Sequence, residues 1–279
     1  MRLVSFETGG CQTYGLVRDA LIHEATAAFR ATYADLRSVL AAGKAGAIET
    51  EANGIDPAGV TLLSPMPNPD KIICIGLNYA NHIKETGRDK PQYPSIFTRY
   101  PSSVLGSGVP LLKPICSDEF DYEGELAVII GKAGRNIPAA AAKDHILGYS
   151  CFNDGSIRDF QRHTTQFWSG KSFDDSGSMG PWIVTADELP NPEDQHLRTI
   201  LNGQEVQSTP ISDLAFSIGE IIEYVSKVTR LLPGDIIATG TPGGVGRFRT
   251  PPLYMFEGDR IEVEITGIGT LSNPIANAK

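Results

Sequence analysis

Apolar and polar positions change period several times along the chain, and each change predicts an element. Residues 3–6 and 14–17 are short strand-like runs separated by Gly9-Gly10, which predicts a hairpin. Residues 20–42 contain Ala- and Leu-rich stretches compatible with helix, and residues 45–58 read as loop. The proline-rich joint Ser64-Pro65-Met66-Pro67-Asn68-Pro69 marks a boundary between a small N-terminal unit, 1–65, and the remainder, 66–279. Beyond it, strands are expected at 71–76, 96–99, 118–130, 146–153, 181–185, 235–239 and 259–265. A short helix is expected over 78–87, a helical turn over 139–145 and a mixture of helix and loop over 155–170. Residues 197–201 and 205–207 flank Asn202-Gly203, a hairpin signal, and the spacing of apolar residues at 214, 218, 221, 222 and 225 predicts a helix over 214–229.

The run 120–130 carries the densest chemistry. Alternate side chains of a strand share a face, so Glu123 and Glu125 point the same way. Two like charges side by side repel unless a cation lies between them, and a divalent ion that prefers oxygen would serve. Solvated carboxylates on an open sheet edge fit the pair equally well. The continuous apolar run 126–130 favours a strand covered on both faces.

Composition narrows the class. The chain has 279 residues, 41% hydrophobic and 20% charged, with a net charge of −9. This fits a globular protein and gives no basic block for nucleic acid. No apolar run reaches the roughly 18 residues needed to cross a bilayer, and the first residues lack an export signal. Cysteines 11, 74, 116 and 151 are isolated; they give no zinc knuckle and suggest a reduced cytoplasm. Frequent Gly and Pro favour a strand-rich fold.

Four constellations hold candidate chemistry. Glu123, Glu125 and Asp154 are oxygen donors suited to Mg²⁺, although Asp154 could equally cap the turn after its strand. His82 and Glu85 lie at i and i+3 of the expected helix, where a carboxylate can fix the imidazole tautomer for general-base work; an exposed His with a chance Glu neighbour gives the same HxxE. Lys171, in Ser169-Gly170-Lys171-Ser172, could approach a metal-bound anion. It is not in a P-loop, because Thr165 stands where that frame needs Gly. The loop Gly240-Thr241-Pro242-Gly243-Gly244-Val245-Gly246 presents backbone N–H groups to an anion, or is an ordinary turn. Pro242 breaks the Rossmann pattern.

Together these segments resemble one family. Ile75-Gly76-Leu77-Asn78-Tyr79-Ala80-Asn81-His82, Asp121-Tyr122-Glu123-Gly124-Glu125-Leu126-Ala127, Gly148-Tyr149 with Asn153-Asp154 and Arg158-Asp159, Lys171-Ser172-Phe173-Asp174 with Gly180-Pro181-Trp182, and Thr239–Gly246 resemble, in order and spacing, the fumarylacetoacetate hydrolase family over about residues 68–275. The resemblance implies an α+β, mainly β fold: a mixed β-sandwich roll behind a small N-terminal α+β domain, usually dimeric. It implies Glu123, Glu125 and Asp154 as ligands of Mg²⁺ or Mn²⁺, and His82, Glu85 and Lys171 as catalytic residues. Arg158 and Gln161 would reach substrate, and Thr241 with Gly240 would hold its carboxylate. The implied activity is Mg²⁺-dependent hydrolysis of the C–C bond of 2,4-dioxo acids (acylpyruvate or fumarylpyruvate type) by a cytoplasmic homodimer in aromatic catabolism. Decarboxylation of an oxaloacetate-type acid, isomerisation of a 2-hydroxy-diene-dioate, or a silent binding homologue are the alternatives. Two segments depart from the family pattern: Asp175-Ser176-Gly177-Ser178, and Arg99-Tyr100-Pro101 where many relatives have lysine before proline. Arg99 and Tyr100 would then serve a second substrate carboxylate or form a surface pair.

Overall fold

Every residue of the strand Gly124–Ile130 is buried, as its unbroken apolar run predicts. In this computed structural model, which describes all residues except Thr86 and Arg88, that strand lies inside a large mixed sheet. The spatial order is Leu21–Glu24, Cys11–Arg18, Arg2–Thr8, Gly177–Thr185, Ile146–Asn153, Gly124–Ile130, Ile236–Ala238, Ile72–Gly76, Ser95–Arg99. A second sheet runs Gln204–Pro210, His196–Leu201, Arg260–Ile265, Gly269–Asn277, Leu111–Lys113. The fold is the α+β, mainly β, mixed sandwich that the resemblance implies.

Alternation within Gly124–Ile130 sends its side chains into two separate cores. Leu126, Val128 and Ile130 pack with Leu197, Val263 and Leu271 of the second sheet and with Ile221, Ile222 and Val225 of the helix Ile218–Val228. Ala127 and Ile129 face the other way, toward Ile72, Cys74, Leu36 and Val39. Gly124 belongs to the first face, where a Cβ would meet Thr199 Oγ1 of the second sheet at 2.1 Å. Glycine at this position is therefore what lets the two sheets approach, and Glu125 lies on the reverse face.

The N-terminal segment does not stand apart from this scaffold. Arg2–Thr8 pairs with Gly177–Thr185 (Leu3 opposite Ile183), so the leading strands extend the large sheet. The hairpin across Gly9-Gly10 forms with Leu3 opposite Leu16, and the Asn202-Gly203 hairpin also forms, each with both turn residues at positive φ. Residues 20–42 are not one helix. They divide into the strand Leu21–Glu24 and two short helices, Ala27–Thr32 and Leu36–Ala41, because Thr26 and Asp35 each cap a new start. The helix expected from Leu214 begins instead at Ile218, where Ser217 and Glu220 form a capping box. The helix expected over 78–87 spans Ala80–Glu85; its expected end at Gly87 adjoins Thr86, outside the described residues.

The approach of the sheets at Gly124 sets a stability prediction. Gly124→Ala should destabilise the protein by about 1–3 kcal/mol through overpacking. Gly59→Ala, where a Cβ meets nothing within 4 Å, should change stability by no more than about 0.5 kcal/mol. Urea denaturation of both variants checks this; equal effects would remove the close approach as the reason for Gly124.

Candidate active site

The expected strand over 118–130 is interrupted. Phe120–Asp121 pairs with Ser156–Ile157, and Gly124–Ile130 pairs with Ile146–Asn153. Between them two residues on each side leave the ladder, and pairing then resumes in step: Gly124 stands opposite Asn153 and Asp121 opposite Ser156. Glu123 and Asp154 occupy this gap. The Asp154 N–H still donates to the Glu123 carbonyl at 2.8 Å, and the Glu123 N–H donates to Asn153 Oδ1 at 3.1 Å. The gap turns Glu123 and Asp154 toward Glu125, so that the three carboxylates offer oxygens all within 4.8 Å of one another.

Around this triad runs a string of buried alternating charges. Arg99 Nη1 donates to Asp154 Oδ1 at 2.7 Å, and Lys171 Nζ donates to Asp154 Oδ2 and to Glu123 Oε2, each at 2.6 Å. Arg158 Nη1 pairs with Glu123 Oε1 at 2.6 Å, and Arg158 Nε donates to Asp121 Oδ2 at 2.8 Å. Three cations therefore balance Asp154, Glu123 and Asp121, and Glu125 is left over. Burial acts to raise the Glu123 carboxyl, but Lys171 and Arg158 override it and hold the group at about 2. Glu125 goes the other way: burial, then Asp154 and Glu123, push its carboxyl well above the usual range, with Lys171 and one N–H, from Gly240 at 2.8 Å, in opposition. A hard divalent cation on these oxygens would supply the missing charge, so the donor set fits Mg²⁺ or Mn²⁺.

His82 and Glu85 lie at i and i+3 of Ala80–Glu85, with His82 Nδ1 2.8 Å from Glu85 Oε2. Burial raises the Glu85 carboxyl, but the His82 contact and the Gly244 N–H outweigh it and keep the group below its usual range. The glycine-rich loop behaves differently from its sequence expectation. Its N–H groups serve the protein's own acids: Gly240 serves Glu125, Gly244 serves Glu85 at 3.1 Å, and Gly246 and Arg247 serve the two oxygens of Asp121 at 2.8 and 3.0 Å. Gly240, expected beside a substrate carboxylate, thus spends its N–H on Glu125.

A cavity of about 560 Å³ collects most of the expected residues: His82, Glu123, Glu125, Arg158, Gln161, Lys171 and Thr241 line it. Asp154 is fully buried behind them. Arg99 neither lines the cavity nor sits on the surface. It is 2% exposed and binds Asp154, the Gly155 carbonyl, Ser103 and Ser176. This corrects its reading as a group for a second substrate carboxylate or a surface pair, and it explains the small residues at 176–178: a Cβ on Gly177 would meet Arg99 Nη2 at 2.7 Å. Tyr100 is exposed and packs edge-on against Trp168. Two contributors were given no role in the sequence reading, although Asp121 opens one of the motifs quoted for the resemblance. Asp121 anchors both Arg158 and the loop, and Gln207 of the second sheet donates to Thr241 Oγ1 at 2.9 Å. Only their partners, distant in sequence, reveal them.

The charge string predicts opposite costs for two neighbouring acids. In EDTA, Glu123→Gln should lower stability by about 3–5 kcal/mol, since it removes the carboxylate shared by Lys171 and Arg158 and leaves the buried string with one uncompensated positive charge. Glu125→Gln, which breaks no ion pair, should cost much less, and it should abolish the rise in Tm that Mn²⁺ gives the unmodified protein. Equal losses in urea denaturation, or a surviving Mn²⁺ response in Glu125→Gln, would contradict the assignment.

Comparison with known proteins identifies the family. Residues 71–276 match the family model described as "Fumarylacetoacetate (FAA) hydrolase C-terminal". Oxaloacetate tautomerase YisK of Bacillus subtilis (strain 168) is 46% identical over 220 residues, covering 77% of this chain and 73% of that protein. Among solved structures, 5-carboxymethyl-2-hydroxymuconate delta-isomerase from Mycobacterium smegmatis is 35% identical with a TM-score of 0.83. Maleylpyruvate hydrolase from Sphingobium sp. SYK-6, in complex with manganese(II) and pyruvate, is 31% identical with the same score; both alignments cover all of each chain. The chain belongs to the fumarylacetoacetate hydrolase family.

Proposed function

We propose that the protein is a metal-dependent enzyme that moves protons on 2-oxo acids, interconverting enol and keto forms of an oxaloacetate-type substrate. The observation that carries this reading is the buried triad Glu123, Glu125 and Asp154 opening, with Lys171 and the His82–Glu85 pair, on one cavity. The 46% identity to an oxaloacetate tautomerase supports the reaction type over the C–C hydrolysis expected from the sequence. Glu123, Glu125 and Asp154 would hold Mg²⁺ or Mn²⁺, which when bound supplies Lewis-acid stabilisation of negative charge on the substrate's 2-oxo oxygen.

The protein's own groups divide the remaining work. The Glu85 carboxylate holds His82 Nδ1, which leaves Nε2 as the nitrogen available to take a proton from substrate or return it. The Lys171 ammonium adds positive charge where an enolate would develop. Thr241 Oγ1 already accepts from Gln207, so its own O–H is free to donate to a carboxylate. Arg158 and Gln161, joined at 3.0 Å, orient the substrate from the cavity wall. The charge balance supports an anionic substrate: the string with Glu125 carries one net negative charge, a divalent cation reverses it, and one carboxylate restores neutrality.

Hydrolysis remains the second reading, favoured by two observations. The His82–Glu85 pair is also the arrangement that activates water, and a fully alignable relative is a maleylpyruvate hydrolase. The dimeric state and cytoplasmic location are part of the same proposal; among the described residues no helix is long and apolar enough to cross a membrane.

EDTA should abolish enol–keto interconversion of oxaloacetate, followed by enol absorbance, and Mn²⁺ or Mg²⁺ should restore it; full activity in metal-free protein would end this reading. His82→Ala should keep Mn²⁺ binding by calorimetry and slow the reaction on the order of 10²–10⁴-fold, the share of a general base. Release of pyruvate and maleate from maleylpyruvate at a higher kcat/KM than enol conversion would favour the hydrolase instead.

A further inference from the structure

The cavity has an electropositive part that the metal seat and the proton-transfer pair leave unexplained. Arg158, Arg162 and Arg247 all line it, in a chain whose net charge is −9. Their satisfaction is incomplete in a graded way. Arg158 is 5% exposed and pinned by Asp121 and Glu123, yet its Nη2 is buried with no hydrogen-bond partner. Arg162 pairs with Glu119 at 2.9 Å. Among the described residues, the Arg247 guanidinium has no ion pair or hydrogen bond and rests 5.5 Å from the ring of its neighbour Phe248.

Their proximity is built into the fold. The carboxylate of Asp121 accepts the Arg158 Nε–H and, through the same oxygen, the backbone N–H of Arg247. One buried anchor therefore fixes where both arginines start. Burial, together with the positive charge of Arg162 and Arg158, acts against the charge on Arg247. Guanidinium groups gathered around a cavity repel one another until an anion joins them, and their planar donor forks match a carboxylate.

We infer that Arg247, with Arg162 and the free edge of Arg158, forms a second anion subsite that selects 2-oxo acids bearing a further carboxylate remote from the metal seat. Arg247 is the specificity-determining residue, because among the described residues its guanidinium has no ion pair or hydrogen bond. The inference rests on the 2-oxo acid reading above, in which the first carboxylate is engaged at the triad and Thr241.

Malate and lactate test it without turnover, since these unreactive 2-hydroxy acids share one head and differ by a single distal carboxylate. Calorimetry on the Mn²⁺-loaded protein should give malate about 10- to 100-fold tighter binding than lactate, the range of a charge-assisted hydrogen bond. Arg247→Met should bring that ratio close to one, and Arg247→Lys should keep part of it. A Mn²⁺ titration of each variant reports whether the metal seat survives, and the ratio is read again in EDTA so that loss of metal does not remove the test. A preference that persists in Arg247→Met, or that is missing from the unmodified protein, overturns the subsite. A protein that keeps the preference but does not enolise oxaloacetate retains the subsite and loses the proposed activity.

Discussion

Six buried charges in alternating order hold this molecule's centre together: Arg99, Asp154, Lys171, Glu123, Arg158 and Asp121, each within 2.8 Å of the next. Removing so many charges from water costs free energy that their mutual attraction offsets only when geometry is good and every partner is present. Such a string is poor evidence for extra stability. Its consequence is positional. Each inner member is fixed by two neighbours, so Glu123 and Asp154 arrive at the triad already oriented. Glu125, on the same strand face but outside the string, is the member of the triad with no ion pair among the described residues.

The glycine-rich loop extends that order to the rest of the site. By donating N–H groups to Glu125, Glu85 and Asp121, one short segment ties together the acidic triad, the His82–Glu85 pair and the arginine wall. The anions that the loop binds belong to the chain itself. A displacement of the loop would therefore disturb all three groups at once, whereas a loop made only to hold substrate would affect one. Close sheet packing through Gly124 braces the opposite face of the same strand.

The residues proposed to do the chemistry were more legible in the sequence than those that hold them. ExE spacing, HxxE spacing and a lysine among small residues are local patterns, and the structure brings Glu123, Glu125, His82, Lys171, Arg158, Gln161 and Thr241 to one cavity. Arg99 was misread because nothing near it in sequence shows its partner, Asp154, 55 positions away. Asp121 and Gln207 have the same character: ordinary residues whose meaning lies in distant contacts. The helix expected from Leu214 started late because the Ser217 capping box overrode apolar periodicity.

By itself the sequence determined what is set by short-range order: the strand-rich character, the two positive-φ hairpins, the burial of 126–130 on both faces, and the family. Alternation at period two and glycine-rich turns act over a few residues, so one chain suffices to read them. The tertiary structure decided what depends on distant groups sharing a low-dielectric interior. It parted the strand pair at Glu123 and Asp154, turned Arg99 inward, directed the loop's N–H groups to the protein's own acids, and lined one cavity with Glu125 and Arg247, neither of which has an ion-pair partner among the described residues. Electrostatic balance is a property of three-dimensional neighbourhoods, and spacing along the chain does not carry it.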